Sequence, residues 1–364
     1  MKGAIRIGSY RGIAVFIHWT FFLLLIWIGG KQALQGGGVE GVTRELILVL
    51  CIFFCVLLHE FGHALAARRY KIQTRDITLL PIGGVARLEK MPEAPMQEFV
   101  VAIAGPLVNV AIIALLIPLV LLGKGFPIAF DFDDLAANSL AVNLILVNSS
   151  LVVFNLIPAF PMDGGRIFRS LLALKFHRLR ATRMAARLGQ AIAVLFVIGG
   201  LFGNPVLILI GVFVFMGARA ELASMEQEHA LAGIKVKDIM QSSFRTIHPD
   251  ATLSVAAKML LEGDATDFLV MDDSGEVQGV LTRTNLLLGY AHLSQDHPVR
   301  AAAVPVLASL QADDSADMAW EQFRSGDAVL FPVLEQNRLC GILTRENTHE
   351  FIALYLAGLH PSHQ

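Results

Sequence analysis

The chain has 364 residues, with 55% hydrophobic residues, 16% charged residues and a formal net charge of −2; its mean hydropathy is +0.60. An ordinary soluble domain carries about 25% charged residues, so the chain is depleted in charge, and its near-neutral balance argues against nucleic acid as a partner. Three cysteines, Cys51, Cys55 and Cys340, give no disulfide framework.

The shortage of charge is uneven. Residues 1–220 hold long uncharged runs, and the remainder has the composition of soluble protein. The basic start "MKGAIRIGSYRG" precedes an apolar segment with no small-residue cleavage site behind it, which predicts a retained span rather than a signal peptide. A span needs about 20 mostly apolar residues. Candidates lie at 13–30, 45–67, 98–122, 138–157, 188–202 and 205–219, which predicts a six-span α-helical membrane protein. Lys and Arg cluster at 2–11, 68–90 and 166–187, whereas an intervening loop holds "AFDFDD". The three basic groups then share the cytoplasmic side of a cell (inner) membrane, with both termini cytoplasmic.

The second span contains "HEFGH", residues 59–63. Residues four apart share a helix face, so His59 and His63 can chelate one metal with Glu60 beside it. Unpaired ionisable groups are costly within a bilayer, and a bound dication offsets that cost. Zinc suits imidazole and carboxylate ligands. A third ligand is needed, and Asp163 in "PMDGG" stands at the end of the fourth span. Pro161, Gly164 and Gly165 allow the backbone to bend there. The alternative is an ordinary helix-ending turn with Asp163 as its cap. Between them, 76–89 reads as a hairpin turning at "PIGG", residues 81–84. Asn148 reads as interhelical glue, and Asn109 in "AGPLVNV" either orients a neighbour or packs.

The soluble part repeats itself. "LVMDDSGEVQGVLTRTN" at 269–285 aligns without gaps to "FPVLEQNRLCGILTREN" at 331–347. Each half predicts strand, turn, strand and then a helix, preceded by an amphipathic helix. This resembles a tandem pair of cystathionine-β-synthase (CBS) domains, regulatory α/β modules that often bind adenosyl ligands. The resemblance places an adenine nucleotide at Thr282 with Asn285 and at Thr344 with Asn347. The acidic residue of that element is Asn both times, which grips ribose hydroxyls less strongly than a carboxylate. The alternative is a packing module that forms a homodimer.

"HEFGHALAARR", "AGPLVNV" and "NLIPAFPMDGGR", in this order and on these spans, resemble the site-2 protease family of intramembrane zinc metalloproteases. The resemblance covers about residues 1–220, and the CBS pair matches a subgroup of it. It implies one Zn2+ on His59, His63 and Asp163, with Glu60 as general base. It also implies a substrate-binding region at Asn155, Pro161, Gly83 and Gly84. The expected activity is hydrolysis of a peptide bond in or near the transmembrane segment of a membrane protein, such as an anti-sigma-factor-like single-span regulator. The alternatives are a CBS-linked metal or ion transporter and an inactive homologue that binds membrane proteins. The expected divisions are 1–222 for the membrane domain, 223–234 for a linker, 235–292 for the first CBS domain and 298–358 for the second.

Overall fold

A computed structural model describes residues 3–81, 83–89, 91–124, 139–263, 267–306, 308–326 and 328–359. The chain divides into two compact units, Met1–Ala223 and Ser224–Gln364. Lys2, Lys90 and "AFDFDD", which entered the orientation argument, lie outside the described residues.

The first unit opens with strands β1 (Ala4–Tyr10) and β2 (Ile13–His18). Arg11 and Gly12 between them have φ of 48° and 86°, the left-handed pair that a two-residue hairpin turn requires. The segment at 13–30 is therefore not one span. Its first part is a strand, because the Arg11–Gly12 turn pairs it with β1 and its other edge pairs in parallel with β3. Helix α1 (Thr20–Leu34) follows, then α2 (Gly38–Arg69), β3 (Thr74–Leu80) and β4 (Gly83–Leu88). The four strands form one sheet in the order β1-β2-β3-β4. The hairpin expected over 76–89 is β3 and β4, and β4 is a terminal strand of that sheet.

Five helices follow: α3 (Pro95–Lys124), α4 (Leu140–Leu156), α5 (Asp163–Ala173), α6 (Arg178–Phe202) and α7 (Val206–Leu231), the last of which runs past Ala223 into the second unit. Among the described residues four helices, α2, α3, α6 and α7, are long and apolar enough to cross a membrane. At 1.5 Å per residue, the 15 residues of α1 and the 17 of α4 reach about 22 and 26 Å, short of a hydrocarbon core of about 30 Å. Six apolar helices thus match the six segments, but only four have full spanning length. Large side chains such as Trp27, Leu115, Leu195 and Leu209 are exposed, the outward apolar face that lipid contact calls for. Inside, Phe21 of α1 meets Phe53 of α2 edge to face at 4.6 Å, with Val49 and Leu79 in the same cluster.

The second unit repeats one fold twice. Its first half contains α8 (Val236–Ile239), β5 (Thr246–Ile247), α9 (Leu253–Glu262), β6 (Asp267–Met271), β7 (Val277–Thr282) and α10 (Arg283–His292). Its second half contains β8 (Leu310–Gln311), α11 (Ala316–Ser325), β9 (Leu330–Glu335), β10 (Arg338–Thr344) and α12 (Arg345–Leu356). Each half forms a three-stranded sheet with a parallel pair and an antiparallel pair. The gapless alignment needs one correction. Phe268 faces Leu281, whereas Phe331, not Leu330, faces Leu343, so the first strands are offset by one residue. The turn after Asp272 is longer than the tight Gln336–Asn337 turn, whose residues both have positive φ. Residues 223–234, read as a linker, are largely helix: α7 continues to Leu231, and Ala230 and Leu231 join the buried cluster of Val236, Phe331 and Leu343.

Candidate metal centre

α2 places His59 and His63 one turn apart on a buried face. α5 supplies Asp163 from its first turn, where the positive helix end favours a carboxylate. α4 stops at Leu156, and the chain turns through residues 157–162 before α5 begins. A Cβ on Gly164 would lie 2.2 Å from Ile157 O, and one on Gly165 would lie 2.7 Å from the Ala159 carbonyl carbon. The two glycines therefore let α5 lie directly on its own incoming turn, which is the bend expected of "PMDGG".

His59 Nε2, His63 Nε2 and Asp163 Oδ2 converge. The nitrogens are 3.0 Å apart, and the oxygen is 3.2 Å from His59 and 3.1 Å from His63. All three residues are buried, with relative exposures of 6 to 7%, and they form a group that could hold a metal ion.

Two backbone carbonyls set the protons on these rings. Leu144 O can only accept, so Asn148 donates to it through Nδ2 at 2.7 Å and turns Oδ1 toward Asn109. Asn109 Nδ2 donates to that oxygen at 2.8 Å, which leaves Asn109 Oδ1 facing His59. His59 Nδ1–H donates to it at 2.5 Å. In the same way His63 Nδ1–H donates to Val101 O at 2.8 Å. Both Nε2 atoms then present lone pairs, beside a carboxylate oxygen. Three acceptors facing one another without a proton repel, and a cation among them removes the conflict. Tetrahedral zinc with bonds of about 2.0–2.1 Å sets its ligand atoms about 3.3 Å apart, close to the spacings seen. The donor set fits the metal.

α3 provides the floor. A Cβ on Gly105 would stand 2.2 Å from His63 Nε2 and 2.7 Å from His59 Nε2, so the helix touches the centre only because this position is glycine. Asn109, one turn on, carries the His59 link. Pro106 lies inside α3 and cannot donate to the carbonyl of Ala102, which loosens the turn holding Val101 and Gly105.

Glu60, next to His59 on α2 and half-buried, bonds to the sheet through one oxygen. Its Oε2 accepts from Ala86 N of β4 at 3.1 Å. A Cβ on Gly84 would meet Glu60 Cγ at 2.7 Å, so glycine there lets β4 lie against α2. Gly83 has φ of 136° and open space around it. Asn155 is half-buried on α4, and no described side chain of the cluster bonds to it. Pro161 is exposed and follows a cis peptide bond; it lies against Gly217 of α7.

Reading the sequence missed a buried ion cluster. Arg169 of α5 is 0% exposed and donates to Glu98 Oε1 at 2.7 Å through Nε and to Glu221 Oε1 at 2.6 Å through Nη1. It ties α5 to α3 and α7. No pattern marks it, since each residue looks like one more charge at a helix end.

In the second unit Thr282 caps α10 by accepting from Asn285 N at 3.1 Å, and Thr344 caps α12 by accepting from Asn347 N at 3.1 Å. The two sites differ. Thr344 and Asn347 line a polar cavity of about 480 Å³ with Arg245, Asp267 and Glu346. Thr282 lines a smaller one of about 210 Å³, walled by Val280, Val304, Val329 and Leu330.

The chain matches peptidase family M50 over residues 47–136 and 131–197, and a CBS domain over 236–292. A zinc metalloprotease of Methanocaldococcus jannaschii is 36% identical over 79% of this chain and 80% of its own. Stage IV sporulation protein FB of Bacillus subtilis is 30% identical over 39% of this chain and 46% of its own. A solved structure, the site-2 protease from Methanocaldococcus jannaschii, is 39% identical over 60% of this chain and 95% of its own, with a TM-score of 0.43. With zinc metalloproteases as its relatives and two histidines converging on an aspartate, the chain belongs to peptidase family M50, the site-2 protease family, and carries a CBS domain behind the peptidase part.

Proposed function

We propose that the first unit is an intramembrane zinc endopeptidase that cuts a peptide bond in or near the transmembrane segment of a membrane protein. The observation that carries this reading is the convergence of His59, His63 and Asp163, with both histidine tautomers preset, inside a bundle of apolar helices. His59, His63 and Asp163 would hold the zinc ion, which would supply a Lewis acid for the scissile carbonyl and for a water molecule. Glu60 takes a proton from the attacking water at a carboxylate oxygen and returns it to the departing amine. The Ala86 N–H holds one of its oxygens and so fixes the direction of the other.

A transmembrane helix hides its carbonyls in its own hydrogen bonds, so the substrate must unwind before it is cut. The edge of β4 offers such a segment a strand partner beside Glu60, and Gly84 keeps that edge close. Asn155, in the last turn of α4, and Pro161, within the turn that delivers Asp163, complete the substrate-binding region. The substrate class is a single-span regulatory protein, anti-sigma-factor-like, cut in regulated intramembrane proteolysis at an inner membrane with both termini of the protease cytoplasmic. The CBS part gates the activity through an adenine nucleotide in the cavity at Thr344 and Asn347, with Thr282 and Asn285 as the weaker second position. Homodimers form through it.

The test uses the full chain in detergent, with a single-span substrate reconstituted beside it. Wild type and Glu60→Gln should each hold one zinc, and only wild type should cut. His59→Ala and Asp163→Ala should hold little. Full zinc retention by Asp163→Ala would overturn the ligand assignment, and zinc without cleavage of any single-span substrate would favour an inactive binding protein.

A further inference from the structure

A second cavity, of about 410 Å³, lies at the basic end of α2, and none of His59, Glu60, His63 or Asp163 lines it. Arg11, Arg68 and Lys71 face it, Thr74 lies at its wall, and Ile13 and Ile72 supply apolar surface. Among the described residues no carboxylate lines it. Three cations around one hollow repel one another, and none of the three has an ion-pair partner among the described residues.

Thr74 adds a separate observation. It is 9% exposed, and its Oγ1 is buried with no hydrogen-bond partner, a state folded proteins keep scarce. Arg68 is fixed at the same place, since its Nη1 donates to Arg11 O at 2.7 Å. Arg11 and Lys71 have φ of 48° and 63°, a region where glycine is the easier residue; both turns nonetheless carry a long cation. The ligand that answers these groups is compact, anionic and rich in acceptor oxygens, and one of its sides tolerates an apolar wall. α2 is an apolar helix that ends in Arg68 and Arg69 at this cavity, which sets it at the height of lipid headgroups.

We propose that this cavity binds a phosphate group, with Arg11, Arg68 and Lys71 as counter-charges and the Thr74 hydroxyl as a donor. A bound phosphate bridges the β1–β2 turn, the end of α2 and the start of β3. It therefore stabilises the sheet that carries β4 to Glu60.

The test is the thermal unfolding midpoint of the full chain in non-ionic detergent, titrated with short-chain phosphatidylglycerol, short-chain phosphatidylcholine or inorganic phosphate. Phosphatidylglycerol should raise the wild-type midpoint, and phosphatidylcholine, which carries no net charge, should raise it far less. The double variant Arg11→Gly/Lys71→Gly keeps backbone positions that glycine favours. It should bind about fivefold more weakly per cation removed and about 30-fold more weakly in all. Thr74→Val, nearly isosteric, should weaken binding without disturbing the cations. A response to phosphatidylglycerol alone assigns the group to a lipid headgroup, and an equal response to inorganic phosphate assigns it to a soluble anion; both support the site. Equal shifts with the two lipids, equal shifts in wild type and double variant, or no shift at all would each overturn it.

Discussion

Replacing Asn109 by alanine should loosen zinc without touching a single ligand. In the native protein Asn109 Oδ1 accepts from His59 Nδ1 at 2.5 Å, and Nδ2 donates to Asn148 Oδ1 at 2.8 Å. Asn109 is 0% exposed, so bulk solvent does not stand ready to replace the lost oxygen. A buried donor left without a partner costs about 1–3 kcal/mol, which as a loss of binding is about 5- to 150-fold. Removing the outer partner of a ligating histidine typically costs about 10–100-fold in metal affinity, so the two routes to the number agree. The ring also loses the restraint that keeps the proton off Nε2. Zinc affinity of detergent-purified protein, measured against a competing chelator, reads the effect directly. Asn109→Asp is the control, because it keeps the acceptor and should retain most of the affinity. Asn148→Ala should cost less than Asn109→Ala, and the double variant should cost little more than Asn109→Ala, as expected for residues in one chain of bonds. An Asn109→Ala protein that binds zinc within about twofold of wild type would refute the relay.

Gly105→Ala should abolish zinc binding, because its Cβ would lie 2.2 Å from His63 Nε2 and 2.7 Å from His59 Nε2; metal analysis after dialysis checks it. Gly84→Ala should displace β4 from Glu60, whose Cγ the new carbon would approach to 2.7 Å, and lower kcat with zinc content unchanged. Glu98→Ala leaves the buried Arg169 with Glu221 alone and should cost about 3–5 kcal/mol of stability, read by chemical unfolding in detergent. In the second unit Lys235 and Lys237 hold the Asp313 carboxyl well down, to about 2. This lowered value makes the bridge favour the fold above the ordinary aspartate range and lose that contribution as pH falls from about 4 toward 2; Asp313→Asn should remove that step from the acid-unfolding curve.

Much of the fold was legible because the signals were periodic or compositional. Apolar runs marked six apolar helices, four of which among the described residues have full spanning length, and the repeat found two like halves in the second unit. The errors came where a local turn overruled composition. Ile13–His18 is as apolar as a span, but the left-handed Arg11–Gly12 pair turns it back on β1, and pairing with β3 fixes it as a strand. That pairing joins residues about 60 apart in sequence, and no window along the chain contains both partners. The offset between β6 and β9 has the same origin. Similar strands joined by turns of different length, 272–276 in one half and 336–337 in the other, take different registers, and side-chain pattern alone does not report turn length.

The centre divides along a similar line. His59 and His63 were legible because both lie on one helix, where spacing fixes geometry. Asp163 was legible because ionisable groups near apolar helices are scarce, so few candidates compete. The residues that set the protons on these histidines announce nothing. Asn148 reads as helix glue, and it is glue, bonded to Leu144 O and to Asn109. Its role at the centre appears only when the proton is followed from carbonyl to amide to amide to imidazole. Gly105 is one small residue among many in α3, yet it decides whether α3 can touch the histidines at all. The placement of the protons on the two histidines therefore rests on Leu144 and Val101, two backbone carbonyls that can only accept. Substituting the side chain of either leaves the carbonyl in place, so the tautomers should survive Val101→Ala and Leu144→Ala and fail with Asn109→Ala.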